Sequence, residues 1–411
     1  MTDGFAPGWR QVAVCFMLLA ATSMIASTYS IVAIPLATTF QPSRMVLMLA
    51  MTVLSGVSAL LSPLFGSMMD RVPLRRVVLA GGFLLGSGYI AISFAGTFPQ
   101  VLAVYGLLIA PANVLLGPLL MTVHLSRWFA QRRGRAIGLA ITGISAGGFI
   151  FPFILQGLLE ANADWRWALR YLGLILMVWT MPTALLLIDR PADRGLHADG
   201  GSEEPEEAST ASAGPPVSAR ALLGDPAFWL IVVTVAIVTA GLKGMVTNLA
   251  PLATDAGVQA RWAALLIPIY AASGFVAKLN FAALADRLGP RVLMFASLSG
   301  FAAGMACLTQ AGTGYPAMVL GVVLAGLFGG LMIPIESYLA PRVFGQRAVG
   351  RAMGLLSGAI LVAMLLTPPL FGLIYDLTGS YTAIFWTFAA LALLALLWTP
   401  SIRVTPRQIH A

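Results

Sequence analysis

Charge is what this sequence has least of. Only 10% of its 411 residues are Asp, Glu, Lys or Arg, against roughly a quarter in a soluble domain. No soluble surface can be assembled from so few charges, which excludes an ordinary cytosolic enzyme. The 59% apolar content excludes a disordered chain. Cysteine is equally scarce: Cys15 and Cys307 both sit in long apolar runs, and no C-x-x-C is present. A disulfide framework and a thiolate metal site are therefore excluded. Walker A, G-x-S-x-G and H-E-x-x-H sequences are missing as well, so neither ATP hydrolysis nor these hydrolase chemistries is expected, and no cofactor is implied. The class that remains is a polytopic helical membrane protein, with the lipid bilayer as its main partner.

A bilayer-crossing helix needs about 20 apolar residues. Apolar runs between charged or Gly/Pro punctuation number twelve, near 11–36, 45–68, 77–96, 99–125, 136–159, 167–188, 226–252, 262–284, 291–310, 315–340, 352–375 and 381–400. The first is too long for the apolar core of a signal peptide and has no small-residue cleavage site after it. Of 24 Lys and Arg residues, eighteen fall in loops on one side, four on the other and two inside spans. The positive-inside rule then puts both termini in the cytoplasm. The formal charge of +8 is scattered over these short loops, which argues against a nucleic-acid partner. The preponderance of Arg over Lys points to a GC-rich bacterial source, hence to the cytoplasmic membrane.

One long loop, 189–224, is of different material. It contains GGSEEPEEASTASAGPP, without apolar periodicity, and is expected to be a flexible linker. It separates a six-span bundle at 1–188 from another at 225–411. The halves also share sequence. GSMMDRVPLRR at 66–76 matches AALADRLGPRV at 282–292, Asp70 falling on Asp286 at an offset of 216. RWFAQRRGRAIGL at 127–139 matches RVFGQRAVGRAMGL at 342–355, at an offset of 215 that becomes 216 after one insertion. Two independent blocks at nearly one offset mark parallel repeats about an axis along the membrane normal.

On these residues the sequence resembles the major facilitator superfamily. Gly66, Asp70, Arg71, Arg75 and Arg76 follow that family's motif after the second span, with Pro73 where Gly is usual. Asp286, Arg287, Gly289 and Arg291 form the second copy, with Ala282 in place of the leading Gly. Gly8-Trp9-Arg10, Arg127-Trp128-Phe129 with Arg132-Arg133-Gly134, and Trp165-Arg166 look like the monocarboxylate transporter and oxalate:formate antiporter branch. The resemblance implies an all-α membrane protein of twelve transmembrane helices in two pseudo-symmetric bundles, working as a monomer.

Asp70 ends a helix arriving at the cytoplasm. Its carboxylate can accept from helix N-terminal amides or pair with Arg135. Asp70, Arg71, Arg75 and Arg135, with Asp286 and Arg287, are expected to latch the cytoplasmic side and release as the halves rock. The plainer alternative is that the arginines only set topology, which is the reading for Arg76 and Arg133.

An ionisable residue inside a span is costly, so each is a functional candidate. His124 lies three residues before Arg127, about 4.5 Å inside the boundary, and is expected at the interface. Lys243 lies deep in the seventh span between Gly241 and Gly244. It is about 13 Å from Leu252, far for snorkelling. The glycines weaken the helix and let a ligand or a backbone approach. The resemblance implies that seventh helices line a central cavity, and Lys243 is the candidate anion site. Lys278 and Glu336 lie about 12 and 9 Å inside the cytoplasmic boundary, on helices that the resemblance makes neighbours. They form either a buried structural pair or an anion site with a proton acceptor. The branch carries an arginine where Lys278 stands, and an acid of its animal members one turn earlier is replaced here by Gly274. Tyr29, Asn113, Asn248 and Tyr270 can hydrogen-bond a carboxylate, or join helices instead. Asp255 and Asp376 at periplasmic helix ends read as interface caps.

The function these residues imply is secondary transport of a small organic anion, a monocarboxylate above all, by proton coupling or exchange. Two lysines against one glutamate leave positive charge where an anion would sit. The alternatives are an efflux pump for amphipathic compounds, which would favour an acidic, aromatic cavity, and a non-transporting sensor, for which no soluble domain is present.

Overall fold

The structure is a computed structural model that describes residues 6–69, 71–129, 133–162, 164–196, 219–344 and 349–401. Hydrocarbon offers no partner for a backbone N–H or C=O, so an apolar run must satisfy them within its own helix. Among the described residues twelve helices are long and apolar enough to cross a membrane. They are α1 Pro7–Phe40, α2 Arg44–Gly66, α3 Leu74–Ile92, α4 Phe98–Trp128, α5 Arg135–Ala161, α6 Trp165–Leu185, α7 Pro226–Asp255, α8 Ala260–Phe281, α9 Leu288–Leu308, α10 Tyr315–Phe344, α11 Ala352–Thr378 and α12 Thr382–Ser401. Each falls on an expected run, with ends within a few residues.

The chain divides into two compact units. Unit 1 is Met1–Pro42 with Leu49–Ser209; unit 2 is Ser43–Met48 with Thr210–Ala411. In unit 1 the main pairings are α1 with α5 and α3 with α6. Both are close because glycines lie at the crossings: Gly147 of α5 faces the α1 backbone at Ala20, and Gly86 of α3 and Gly173 of α6 each face the other's carbonyl. Small residues at a crossing let dispersion contacts form where lipid supplies no hydrophobic drive. In unit 2, α7 pairs with α11, and the α8–α9 stretch packs on α10 and α12. The pairing α1–α5 thus recurs as α7–α11, as a parallel repeat requires.

The two copies of the loop motif turn the chain by different means. Helical backbone runs from Ala260 to Leu308 and is broken at Gly289, with φ 71° and ψ 158°. That left-handed value suits glycine, and Pro290 follows it directly. At the corresponding position of the first copy Pro73 has φ −54° and ψ 126° and precedes α3. Proline cannot take a positive φ, so the first turn is made over Arg71–Pro73 instead.

One feature had no signal in the sequence. α4 carries a π-helical turn at Tyr105–Ile109, and α10 carries one at Ala325–Gly329. Such turns often mark functional sites, and these recur at nearly the repeat offset.

Candidate functional site

Lys243 stands on α7, which is helical without interruption from Pro226 to Asp255. Its neighbouring glycines are filled by aromatic rings. A Cβ at Gly241 would lie 2.7 Å from the Phe301 ring and 2.8 Å from Phe388. At Gly244 it would lie 2.6 Å from Phe371 and from Thr367. The glycines are therefore sockets for unit 2's own core, and not openings for a ligand. Asn248, one turn further on the same face, donates to the Gly244 carbonyl at 2.9 Å and accepts from the Tyr381 hydroxyl at 3.3 Å. At 100° per residue, Lys243 points about 130° away from the mean direction of Gly241, Gly244 and Asn248. It is partly buried.

Lys278 lies on α8 and Glu336 on α10, helices that pack on each other. α8 meets α10 where a Cβ at Gly330 would lie 3.1 Å from the Ala277 side chain and 3.2 Å from Gly274. Further along, the Phe281 and Tyr338 rings meet edge to face at 5.9 Å. Lys278 and Glu336 lie within these limits on their helices. Glu336 is 8% exposed, and Lys278 is partly buried. Gly330 is the glycine that this approach needs, whereas a Cβ at Gly274 would lie 3.9 Å from the Gly326 carbonyl, an ordinary contact.

The uncharged candidates are mostly engaged within their own units. Tyr29 is fully buried with its ring edge-on to Tyr105 at 5.6 Å. Asn113 donates to Ser58 at 3.2 Å, tying α4 to α2. Tyr270 is partly buried on α8, and its carbonyl would lie 3.0 Å from a Cβ at Gly326 of α10. Asn248 joins α7 to the start of α12, as above.

Of the motif residues, Asp70 lies outside the described residues, as do the side chains of Asp286 and Arg287. Arg71, Arg75 and Arg135 are exposed. Arg135 lies over the Trp9 ring at 5.8 Å, a cation–π contact. The Arg75 backbone N–H donates to Asp189 at 3.1 Å, which caps the start of α3. Nearby, Arg127 donates to the Met69 carbonyl at 2.8 Å.

His124 is enclosed by neighbouring segments. It has no exposed surface, and its Nε2 lies 3.1 Å from Gln11 Oε1. That oxygen also accepts from the Ile188 N–H at 3.1 Å, so His124 Nε2 carries the proton. The Trp128 indole donates to the Ile188 carbonyl at 3.0 Å. Leu125, Trp128 and Phe129 belong to one core nearby, so the ring is covered by protein.

Asp255 and Asp376 reach beyond their own helices. Each engages the first turn of α2. Arg44 Nη2 meets both Asp255 oxygens, at 2.7 and 3.0 Å. The Asp376 carboxylate accepts from the backbone N–H of Arg44 at 2.8 Å and of Met45 at 2.9 Å. Beside them lies a cavity of about 170 Å³ bordered by Asp255, Thr309, Tyr375 and Tyr381. Burial pushes the Tyr381 phenol well above its usual range, so it remains a donor.

The pattern of residues 15–283 and 249–410 matches that of the Major Facilitator Superfamily. The chain is 31% identical to human Monocarboxylate transporter 11 over 341 residues, covering 81% of this chain and 69% of that protein. It is 25% identical to mouse Monocarboxylate transporter 12 over 404 residues, or 92% of this chain and 82% of the other. A crystal structure of a bacterial homolog to the human lysosomal transporter Spinster, inward-facing and occupied, superposes with a TM-score of 0.72 at 14% identity, over 98% of this chain and 97% of that one. The chain belongs to the Major Facilitator Superfamily, within its monocarboxylate transporter branch. Its relatives are membrane transporters, not enzymes.

Proposed function

We propose that this protein is a secondary transporter of small organic anions, monocarboxylates first among them, working by alternating access. The carrying observation is Lys243: a cation deep in α7, turned away from the aromatic core that fills the glycine face of that helix. An anion entering a low-dielectric site loses hydration and needs a fixed cation in return. The names of the relatives support the same substrate class. Lys278, with Tyr270 on the same helix, is a second place for the carboxylate or its path, and Tyr29 is a separate candidate in unit 1. Glu336, buried at 8% exposure on α10, is the proton acceptor in a coupled cycle. Asp70, Arg71, Arg75, Arg135, Asp286 and Arg287 latch one side. The functional unit is a monomer with bundles at 1–188 and 225–411 about a linker at 189–224, and both termini face the cytoplasm of a bacterium.

Uptake of a radiolabelled monocarboxylate into proteoliposomes tests this reading through Lys243→Gln. Uptake is expected to fall to background while the protein remains monodisperse in detergent. Wild-type uptake by the folded variant would remove Lys243 from the site.

A further inference from the structure

Arg170 of α6 is held in place by three groups of unit 1. Its guanidinium lies over the Phe94 ring at 4.4 Å and over the Trp167 ring at 4.4 Å, so two aromatic faces attract the cation. Its Nε donates to the Ser93 hydroxyl at 2.9 Å. Ser93 is itself buried and donates to the Ile90 carbonyl at 2.6 Å, which turns its oxygen towards Arg170. Ser93 and Phe94 directly follow α3, and α3 packs on α6. The two helices thus fix the guanidinium together and leave its two Nη groups as a fork. No carboxylate is paired with Arg170 among the described residues. The nearest acid along the chain, Asp164, caps α6 through the Arg166 N–H at 3.0 Å and lies 3.9 Å from the Arg166 guanidinium.

The rings that hold the cation face outwards. Phe94 is 70% exposed and Trp167 is 49% exposed. Trp167 heads a stripe with Tyr171, Leu174 and Val178, all exposed. At 100° per residue these four lie within about 60° of one another. An exposed apolar stripe on a membrane-crossing helix is the face that acyl chains meet. Trp165, Trp167 and Tyr171 stand in the first two turns of α6, and such aromatic residues mark the depth of the lipid headgroups. Arg170 lies at that depth, five residues from Trp165 or about 7.5 Å along the helix. A cation there has lost part of its hydration and calls for an anion. The anion that reaches a lipid-facing surface is the phosphodiester of a phospholipid. Its oxygens match the spacing of the two Nη groups.

We propose that Ser93, Phe94, Trp167 and Arg170 form a binding site for one phospholipid, its phosphodiester on the Arg170 Nη groups and an acyl chain along the α6 stripe. Lipids of net negative charge are preferred, because the fixed charge is a cation without an acid of its own. The site uses unit 1 alone and none of the residues assigned to transport, so it stands or falls apart from the organic-anion reading.

The test is native mass spectrometry of the full chain, delipidated in detergent and titrated with phosphatidylglycerol. The unaltered protein should hold one phosphatidylglycerol more tightly than any further copy, and phosphatidylcholine more weakly. Arg170→Gln should weaken that first binding about fivefold, the contribution of one arginine at an anionic surface. Arg170→Lys should recover only part, since it keeps the charge without the fork. Where Arg170→Gln yields no folded protein, Arg170→Lys carries the comparison by itself. Arg261→Gln removes an arginine over the Trp262 ring of unit 2 and should leave the first binding unchanged. Inorganic phosphate should not displace the lipid. Equal first-binding affinity in the Arg170 variants and the unaltered protein would overturn the proposal. So would equal losses in Arg170→Gln and Arg261→Gln, which would mean unspecific surface charge. Displacement by inorganic phosphate would overturn it too, by showing that a free anion occupies the fork.

Discussion

The glycine face of α7 gives the sharpest perturbation. Gly244→Ala places a methyl group 2.6 Å from the Phe371 ring and 2.6 Å from the Thr367 methyl. Phe371 has little room to retreat, because it is fully buried and stacks on Phe385 at 5.6 Å and Phe388 at 5.6 Å. Forcing one methyl group into a packed core costs about 1–3 kcal/mol. The expected result is a lower thermal midpoint in detergent with substrate KM unchanged in the protein that remains folded. Phe371→Leu should relieve part of the loss when combined with Gly244→Ala, giving a favourable coupling of about 0.5–3 kcal/mol in the double-mutant cycle. The assay pairs fluorescence-detected size exclusion after heating with uptake kinetics. An unchanged midpoint with a large rise in KM would refute the reasoning, since it would mean that substrate, and not Phe371, occupies the socket.

At Lys243 the charge itself is at stake: an anion 4 Å from a fixed cation at an effective dielectric of 20 gains about 4 kcal/mol, or about three orders of magnitude in affinity. Lys243→Gln should lose affinity on that scale, and Lys243→Arg should recover only part, as read by substrate-induced thermal shift. Glu336→Gln should abolish accumulation driven by a pH gradient while sparing substrate exchange, because a neutral amide mimics the protonated acid. Accumulation at the wild-type level would exclude Glu336 from coupling. Tyr381→Phe removes the bond to Asn248 and should cost about 1 kcal/mol in stability, with no change in transport specificity. Glu207→Cys, on a background without native cysteines, should react with impermeant reagents only from the cytoplasmic side.

The twelve spans were legible because the bilayer enforces both length and apolarity on every segment, and a chain with 10% charged residues leaves each boundary marked. Unit 2 pairs α7 with α11 as unit 1 pairs α1 with α5, in keeping with the repeat read from the offset. What approaches a glycine was not legible. Gly241 and Gly244 announce a close contact, but the rings that make it come from Phe301, Phe371 and Phe388 on three other helices. The same limit applies to Asp255 and Asp376. Their positions at helix ends could be counted along the chain, whereas their partner, the first turn of α2, is more than 200 residues away in sequence. The cover over His124 was hidden for another reason. Depth along one helix says nothing of cover from its neighbours, and here Gln11 and the chain at Ile188 close over the ring. The π turns at Tyr105–Ile109 and Ala325–Gly329 insert a residue without any change in apolar pattern, so no count of spans could locate them.

Substrate charge tests the account most directly. Purified protein in proteoliposomes, given a panel of monocarboxylates and size-matched organic cations with and without an imposed pH gradient, should take up the anions in a Lys243-dependent manner and leave the cations outside. Uptake of the cations, with the anions neither transported nor able to compete, would contradict it.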